Sequence, residues 1–395
     1  MKRNSSYILP LIIISQFAGT SLWFVGNAVL PELQQYLHLN QYAISQSTTA
    51  VQLGFILGTL LFAFLSLADR FSPAKIFFMC ASTAAIVNVS IVWLAKDTDS
   101  LLILRFVTGF FLAGIYPVGM KIAADWYKTG LGTALGYLVG ALVLGTAFPH
   151  LLKNKVFEFP WKTVLYCTSV FSFIGGLLML LAGDGENRKK ISKFQPQALI
   201  DIFRSKNFRS TAFGYFGHMW ELYTFWGFLP AIIQLYVLKH NHELNIPFLS
   251  FLVIALGSLS CVAGGYWSKK IGSKKVAAYA MTVSGICCFL SPFIFSAPPF
   301  AFLFFLFIWG LAVIADSPQF STLVAYTAPP QFKGTALTIV TSIGFGITVV
   351  SLIIIDRIFR SQSFFSGTNA FFLLGIGPLL GLISMIPLLR SNIKV

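Results

Sequence analysis

Charge is what this sequence has least of. Only 10% of its 395 residues are Asp, Glu, Lys or Arg, against about a quarter in soluble domains. With 56% hydrophobic residues, 41 phenylalanines and a mean hydropathy of +0.78, a water-soluble globular protein is excluded. The five cysteines (Cys80, Cys167, Cys261, Cys287 and Cys288) fall in apolar segments without metal-ligand spacing. They read as buried small hydrophobes, so neither a disulfide framework nor a bound metal is expected. There is no Walker motif, which leaves ATP-driven transport unsupported. The five histidines are scattered, so a clustered intramembrane catalytic set is lacking and neither an enzyme nor a cofactor is expected. The net charge of +15 belongs to no soluble domain with a basic stripe, so nucleic acid is not an expected partner.

What is present in abundance is long apolar runs. A spanning helix needs about 20 apolar residues. Twelve segments qualify: 7–30, 43–67, 75–95, 101–121, 131–152, 161–183, 211–237, 246–268, 276–297, 300–325, 334–356 and 368–389. The runs are continuous rather than alternating, which favours helices over a β-barrel. The first is too long for a secretory h-region and lacks a small-residue cleavage site, so it reads as a span. With both ends on one side, that side collects most of the 28 basic residues. By the positive-inside rule both termini are expected in the cytoplasm, with the basic residues also meeting anionic membrane lipid.

The longest polar interruption, "GDGENRKKISKFQPQALIDIFRSKNFRS", divides the chain six spans from six. The expected organisation is an N-terminal bundle over 1–183, a cytoplasmic linker over 184–210 and a C-terminal bundle over 211–395. Each half has a polar hairpin between its second and third spans: "LADRFSPAK", and "SKKIGSKK" later. "GTALG" (132–136) and "GTALT" (334–338) open the fifth and eleventh spans at the same offset. Recurrence at one offset points to duplication.

On these residues the chain resembles the major facilitator superfamily of secondary transporters. Asp69, Arg70 and Lys75 match part of the family's hairpin pattern. In the second copy Gly265, Lys270, Gly272 and Lys275 match, with Lys269 where an aspartate is expected. "RFVTGFFLAG" (105–114) is a further echo on span four. The resemblance implies an all-α polytopic membrane protein, with twelve transmembrane helices in two pseudo-symmetric six-helix bundles. It implies a monomer in the plasma membrane (the inner membrane in a bacterium). Asp69, Arg70, Lys75, Lys270 and Lys275 are the candidate cytoplasmic gate. A carboxylate at such a hairpin accepts hydrogen bonds from a helix N-terminus or pairs with an arginine. The bland alternative is a solvated turn.

The resemblance also places a substrate cavity among spans one, four, seven and ten, near mid-membrane. Polar outliers on those spans form a short group. Glu221 lies about 4–5 Å from the centre of span seven, and His218 is one turn earlier on nearly the same face. Asp316 lies past the centre of span ten, toward the cytoplasm. An ionised carboxylate at mid-bilayer costs about 2.5–3.5 kcal/mol, so two of them demand a use or a partner. Proton coupling is the expected use, with His218 sharing the proton of Glu221 or serving as a packing histidine. Asp316 alternatively belongs to a kink made by Pro318. Arg105 lies roughly 6 Å into span four. Snorkelling to the interface, pairing with Glu221 or Asp316, and contact with an anionic substrate are all open to it. Trp23, Tyr116, Tyr223 and Asn27 are the remaining candidates: the aromatics for stacking, Asn27 for a polar contact or a helix–helix bond.

The partners expected are therefore a small-molecule solute and the proton. No proline follows Gly140, which departs from the family's drug antiporters. No arginine occurs on spans two and eight, which departs from its nitrate porters. "HNHE" (240–243) reads as a solvated loop, and 194–203 as a possible surface amphipathic helix.

Overall fold

The computed structural model describes residues 7–40, 42–127, 131–154, 157, 159–186, 188, 202–329, 333–361 and 367–391. Among them the secondary structure is helical, without a strand. A chain in lipid must satisfy its backbone groups internally, and an unbroken helix does so. Eleven helical segments are long and apolar enough to cross a membrane, and a shorter apolar helix precedes them. The expected linker helix over 194–203 falls mostly outside the described residues; Ile202–Arg204 within it form a 3-10 turn.

The chain divides into two compact units, residues 1–194 and 195–395. The N-terminal unit contains α1 (Ile8–Thr20), α2 (Val25–Ala28), α3 (Leu30–Leu37), α4 (Ala43–Phe64), α5 (Leu67–Arg70), α6 (Pro73–Leu94), α7 (Thr98–Leu112), α8 (Tyr116–Trp126), α9 (Leu131–Leu152) and α10 (Trp161–Ala182). The C-terminal unit contains α11 (Lys206–His240), α12 (Ile246–Ile271), α13 (Ser273–Ile294), α14 (Pro299–Ala315), α15 (Ser317–Thr327) and α16 (Lys333–Phe359). It closes with a 3-10 segment, Gly367–Gly375, that runs into α17 (Ile376–Arg390).

Three expected spans are interrupted. The first stops at Thr20 rather than running on to residue 30, and resumes as α2 only after a turn over Ser21–Phe24. The fourth breaks at Ala113–Ile115, where Pro117 lies in the first turn of α8 and cannot donate to the preceding helix. The tenth breaks at Asp316, with Pro318 playing the same part for α15. Span seven is one continuous helix of 35 residues, longer at both ends than its apolar run.

The duplication is visible in the packing. A β-carbon on Gly109 would lie 2.1 Å from the Val51 carbonyl oxygen, so α7 can cross α4 only with glycine there. In the other unit a β-carbon on Gly310 would lie 2.3 Å from the Val253 carbonyl oxygen, the same contact one repeat later. Small residues at such crossings let backbones approach without a hydrophobic driving force. Polar bonds fasten other pairs: Asn88 Nδ2 donates to Ser169 Oγ at 2.9 Å, and Thr224 Oγ1 donates to Ser351 Oγ at 2.9 Å.

Candidate functional site

In the C-terminal unit, α11 carries His218, Glu221 and Tyr223, all buried. Glu221 holds two hydrogen bonds from other helices. Trp309 Nε1 on α14 donates to Oε1 at 2.6 Å, and Ser284 Oγ on α13 donates to Oε2 at 3.0 Å. Trp309 is fixed by stacking on Phe225, ring centroids 4.2 Å apart. Neither Trp309 nor Ser284 stands out in the sequence, because each sits in a run of its own kind.

His218 does not pair with Glu221, one of the two readings its position on the helix left open. Its Nδ1 lies 2.8 Å from Asp316 Oδ1, with the two side chains 1% and 2% exposed. The opposite ring nitrogen, Nε2, has no hydrogen-bond partner among the described residues. Asp316 ends α14 and begins α15 with no side-chain cap bond to either. Asp316 thus sits at the kink and also meets His218. At the break His218 meets the carboxylate. A carboxylate beside an imidazole at a helix break can hold a proton in either of two places. Tyr223 packs against Phe345 and Trp226, centroids 5.1 and 5.5 Å away.

In the N-terminal unit Arg105 is fully buried and does not snorkel. Its Nη1 donates to the Leu22 carbonyl at 3.2 Å and its Nη2 to the Trp23 carbonyl at 2.5 Å. Those carbonyls belong to the turn that ends α1, where no succeeding helical amide reaches them. Arg105 therefore holds the break in span one from span four, and among the described residues no carboxylate pairs with it. Asn27 Nδ2 donates to Thr48 Oγ1 at 2.9 Å, the helix–helix bond that had been one of its two readings. Trp23 packs on Phe55, centroids 4.8 Å apart. Tyr116 opens α8, buried, immediately after the second break.

The hairpin candidates are distributed differently from one another. Asp69 lies in the short helix α5, with its side chain outside the described part of the chain. Arg70, Lys75, Lys270 and Lys275 are exposed. The carboxylate that meets the hairpin is Asp184, just after α10. Its Oδ1 accepts from Ser72 Oγ at 2.8 Å and from the Ala74 amide at 3.1 Å. Its Oδ2 accepts from Arg188 Nη1 at 2.9 Å, and Arg188 Nη2 donates to the Phe71 carbonyl at 2.6 Å. The residue types expected at a helix N-terminus are there, but they come from the far end of the unit. In the loop after span seven, His240 Nε2 lies 2.7 Å from the Phe295 carbonyl and its ring packs on Tyr236. No metal-ligand cluster occurs among the described residues.

The chain is similar to known transporters. Over 131 residues it is 29% identical to organic cation transporter 1 of Caenorhabditis elegans. That alignment takes in 33% of this chain and only 22% of the worm protein. Its fold matches the human organic anion transporter MFSD10 (TETRAN) with a TM-score of 0.74 at 13% identity, over 97% of this chain and 100% of that one. It also matches a bacterial homologue of the human lysosomal transporter Spinster, with a TM-score of 0.67 at 14% identity, over 98% and 96% of the two chains. Residues 11–352 match the family description Major Facilitator Superfamily, and with most of its length so matched the chain belongs to that superfamily of membrane transporters.

Proposed function

We propose that this chain is a secondary transporter that moves a small solute by alternating access, coupled to the proton through Glu221 and the His218–Asp316 pair. The observation that carries the reading is the contact of 2.8 Å between His218 and Asp316 at the break in span ten. A buried pair attached to an interrupted helix links two events: the proton's position and the geometry of the break. When His218 is protonated the pair is an ion pair that holds α11 to the α14–α15 junction. When the pair loses its proton, a lone carboxylate is left in a low-dielectric setting, an expensive state that favours rearrangement toward water. Glu221 has two donors from α13 and α14, so its ionised form is held by bonds that a neutral acid would use differently. Interrupted helices near mid-membrane are where transporters of this architecture house their ion and solute sites.

The two units fit the remaining parts of the reading. As bundles joined by a polar linker they supply the two bodies that alternating access needs, with the termini and both hairpins on the cytoplasmic side. The distribution of basic residues supports that orientation. Asp69, Arg70, Lys75, Lys270 and Lys275 remain proposed gate residues on that face. The related proteins carry names for transport of both organic cations and organic anions, so their names leave the charge of the solute open.

The test is solute flux in proteoliposomes with an imposed pH gradient. Glu221→Gln and Asp316→Asn are each expected to lower gradient-driven uptake at least about tenfold, while gradient-independent exchange across the bilayer survives in Glu221→Gln. Flux indifferent to the gradient, and unchanged in both variants, contradicts proton coupling.

A further inference from the structure

Buried polar atoms without partners gather beside Arg105 in the N-terminal unit. The guanidinium carries five N–H donors, of which Nη1 and Nη2 each donate to a carbonyl of the turn after α1. Among the described residues its Nε has no hydrogen-bond partner, and neither has Ser47 Oγ on α4. These two atoms converge on one place. A β-carbon on Gly26 would lie 3.0 Å from Arg105 Nε and 3.0 Å from Ser47 Oγ. Next to Gly26, Asn27 bridges to Thr48, the neighbour of Ser47. One turn beyond Thr48 on the same face of α4 is Gln52, which is 0% exposed and has neither amide atom bonded. Trp23, whose carbonyl accepts from Arg105, packs its ring on Phe55.

Packing alone does not retain such a group. A buried polar atom without a partner is costly, and an amide with both ends unsatisfied is doubly so. A buried cation without a counter-ion is costlier still. The unpaired donors, Arg105 Nε–H, the Ser47 hydroxyl and the Gln52 amide nitrogen, share one remedy: a ligand that brings negative charge and acceptor oxygens. A carboxylate meets them, because its two oxygens can take Nε–H and a remaining Nη–H side by side while a third donor comes from Ser47. The carboxylates of the C-terminal unit are already engaged, Asp316 by His218 and Glu221 by Trp309 and Ser284. The asymmetry favours an anionic over a cationic solute.

We infer that the N-terminal unit binds an organic monocarboxylate, with Arg105 as its counter-ion, Ser47 and Gln52 as its polar contacts, and Trp23 with Phe55 as the wall for its flat apolar part. This rests on the transport reading only in that the bound carboxylate is the transported solute; binding itself needs no flux.

The experiment is thermal unfolding of the purified full chain in nanodiscs with benzoate, phenylacetate or indole-3-acetate, and with benzylammonium as the isosteric cation. Ligand at about 10 mM that binds the folded state is expected to raise the midpoint by ~3 °C. The carboxylates should do so and benzylammonium should not. Ser47→Ala leaves Arg105 and its carbonyl contacts in place, and Arg105→Lys keeps the charge but loses the planar fork. Each is expected to weaken apparent benzoate affinity at least about fivefold. Gln52→Leu is expected to fold at least as stably as the parent while losing ligand response, which a purely structural glutamine would not do. No shift with any of the three carboxylates, an equal shift with benzylammonium, or a benzoate response unchanged in both Ser47→Ala and Arg105→Lys overturns the assignment. Benzoate binding without flux keeps the site and ends the transport reading. Amine flux without carboxylate binding does the reverse.

Discussion

Glu221 and Asp316 are buried within apolar spans, and each is met by a partner from another helix. The coupling of His218 to Asp316 is open to a double-mutant cycle. Removing one member of a buried pair leaves the other uncompensated, at a cost of about 3–5 kcal/mol, whereas removing both is often close to neutral. His218→Leu and Asp316→Leu should therefore each destabilise by at least ~3 kcal/mol, and the double variant by clearly less than their sum. Denaturant unfolding in detergent measures this; additive effects would show that the contact carries no coupling. These residues were legible in the sequence because charge inside a long apolar run is expensive and hence conspicuous. Their partners were not legible. Helical spacing left His218 open between Glu221 and a packing role, and spacing along one helix cannot reveal that a neighbouring helix brings a carboxylate within 2.8 Å. Trp309 and Ser284 are ordinary residues of their spans and become specific only through where α13 and α14 pass.

The helices themselves were written in the composition, and two of the three interruptions were marked by Pro117 and Pro318. The break after Thr20 carries no proline; Arg105, some eighty residues later, holds its freed carbonyls. A long-range contact of this kind has no local signature. The same is true of the cap on α6. A carboxylate that bonds the start of α6 is Asp184, because the chain returns to that corner only after α10; the side chain of Asp69 lies outside the described residues. Asp184→Ala should cost about 1 kcal/mol locally, as the loss of a helix cap does. The expected signature is roughly fivefold faster amide hydrogen exchange over residues 72–78, with exchange in α11–α17 unchanged. Unaltered exchange at the start of α6 would mean that the cap contributes nothing. The glycine crossings make a sharper prediction. Gly109→Ala forces a β-carbon against a backbone carbonyl and should destabilise by about 1–3 kcal/mol. Gly346→Ala, where nothing lies within 4 Å, should be neutral or stabilise by up to ~1 kcal/mol through helix propensity. Midpoints of thermal unfolding compare the two directly, and the reverse order would contradict the packing described for α4 and α7.

At the scale of the whole molecule, each unit repeats the other's contacts, Gly109 on Val51 and Gly310 on Val253, and yet the two carry opposite chemistry. The N-terminal unit buries Arg105, which donates to carbonyls, and the C-terminal unit buries Glu221, Asp316 and Asp356, each with a partner. On the proposed reading, one half of the duplicated frame carries the anion-binding group and the other the proton-exchanging groups. The sequence showed the frame through its repeated hairpins and the six-plus-six division. It showed the charges too, but not how they were satisfied, because that depends on which helices cross. If the proposed mechanism holds, protonation in one unit governs the movement of both.

The most direct test is distance measurement by double electron–electron resonance between spin labels at exposed positions on the two units, Arg70→Cys and Lys270→Cys. In liposomes, two distance populations are expected, with their ratio changing between about pH 5 and about pH 8. The change should vanish in the Glu221→Gln, Asp316→Asn double variant. A single distance at every pH, or two populations whose ratio follows pH equally in that variant, would contradict the account.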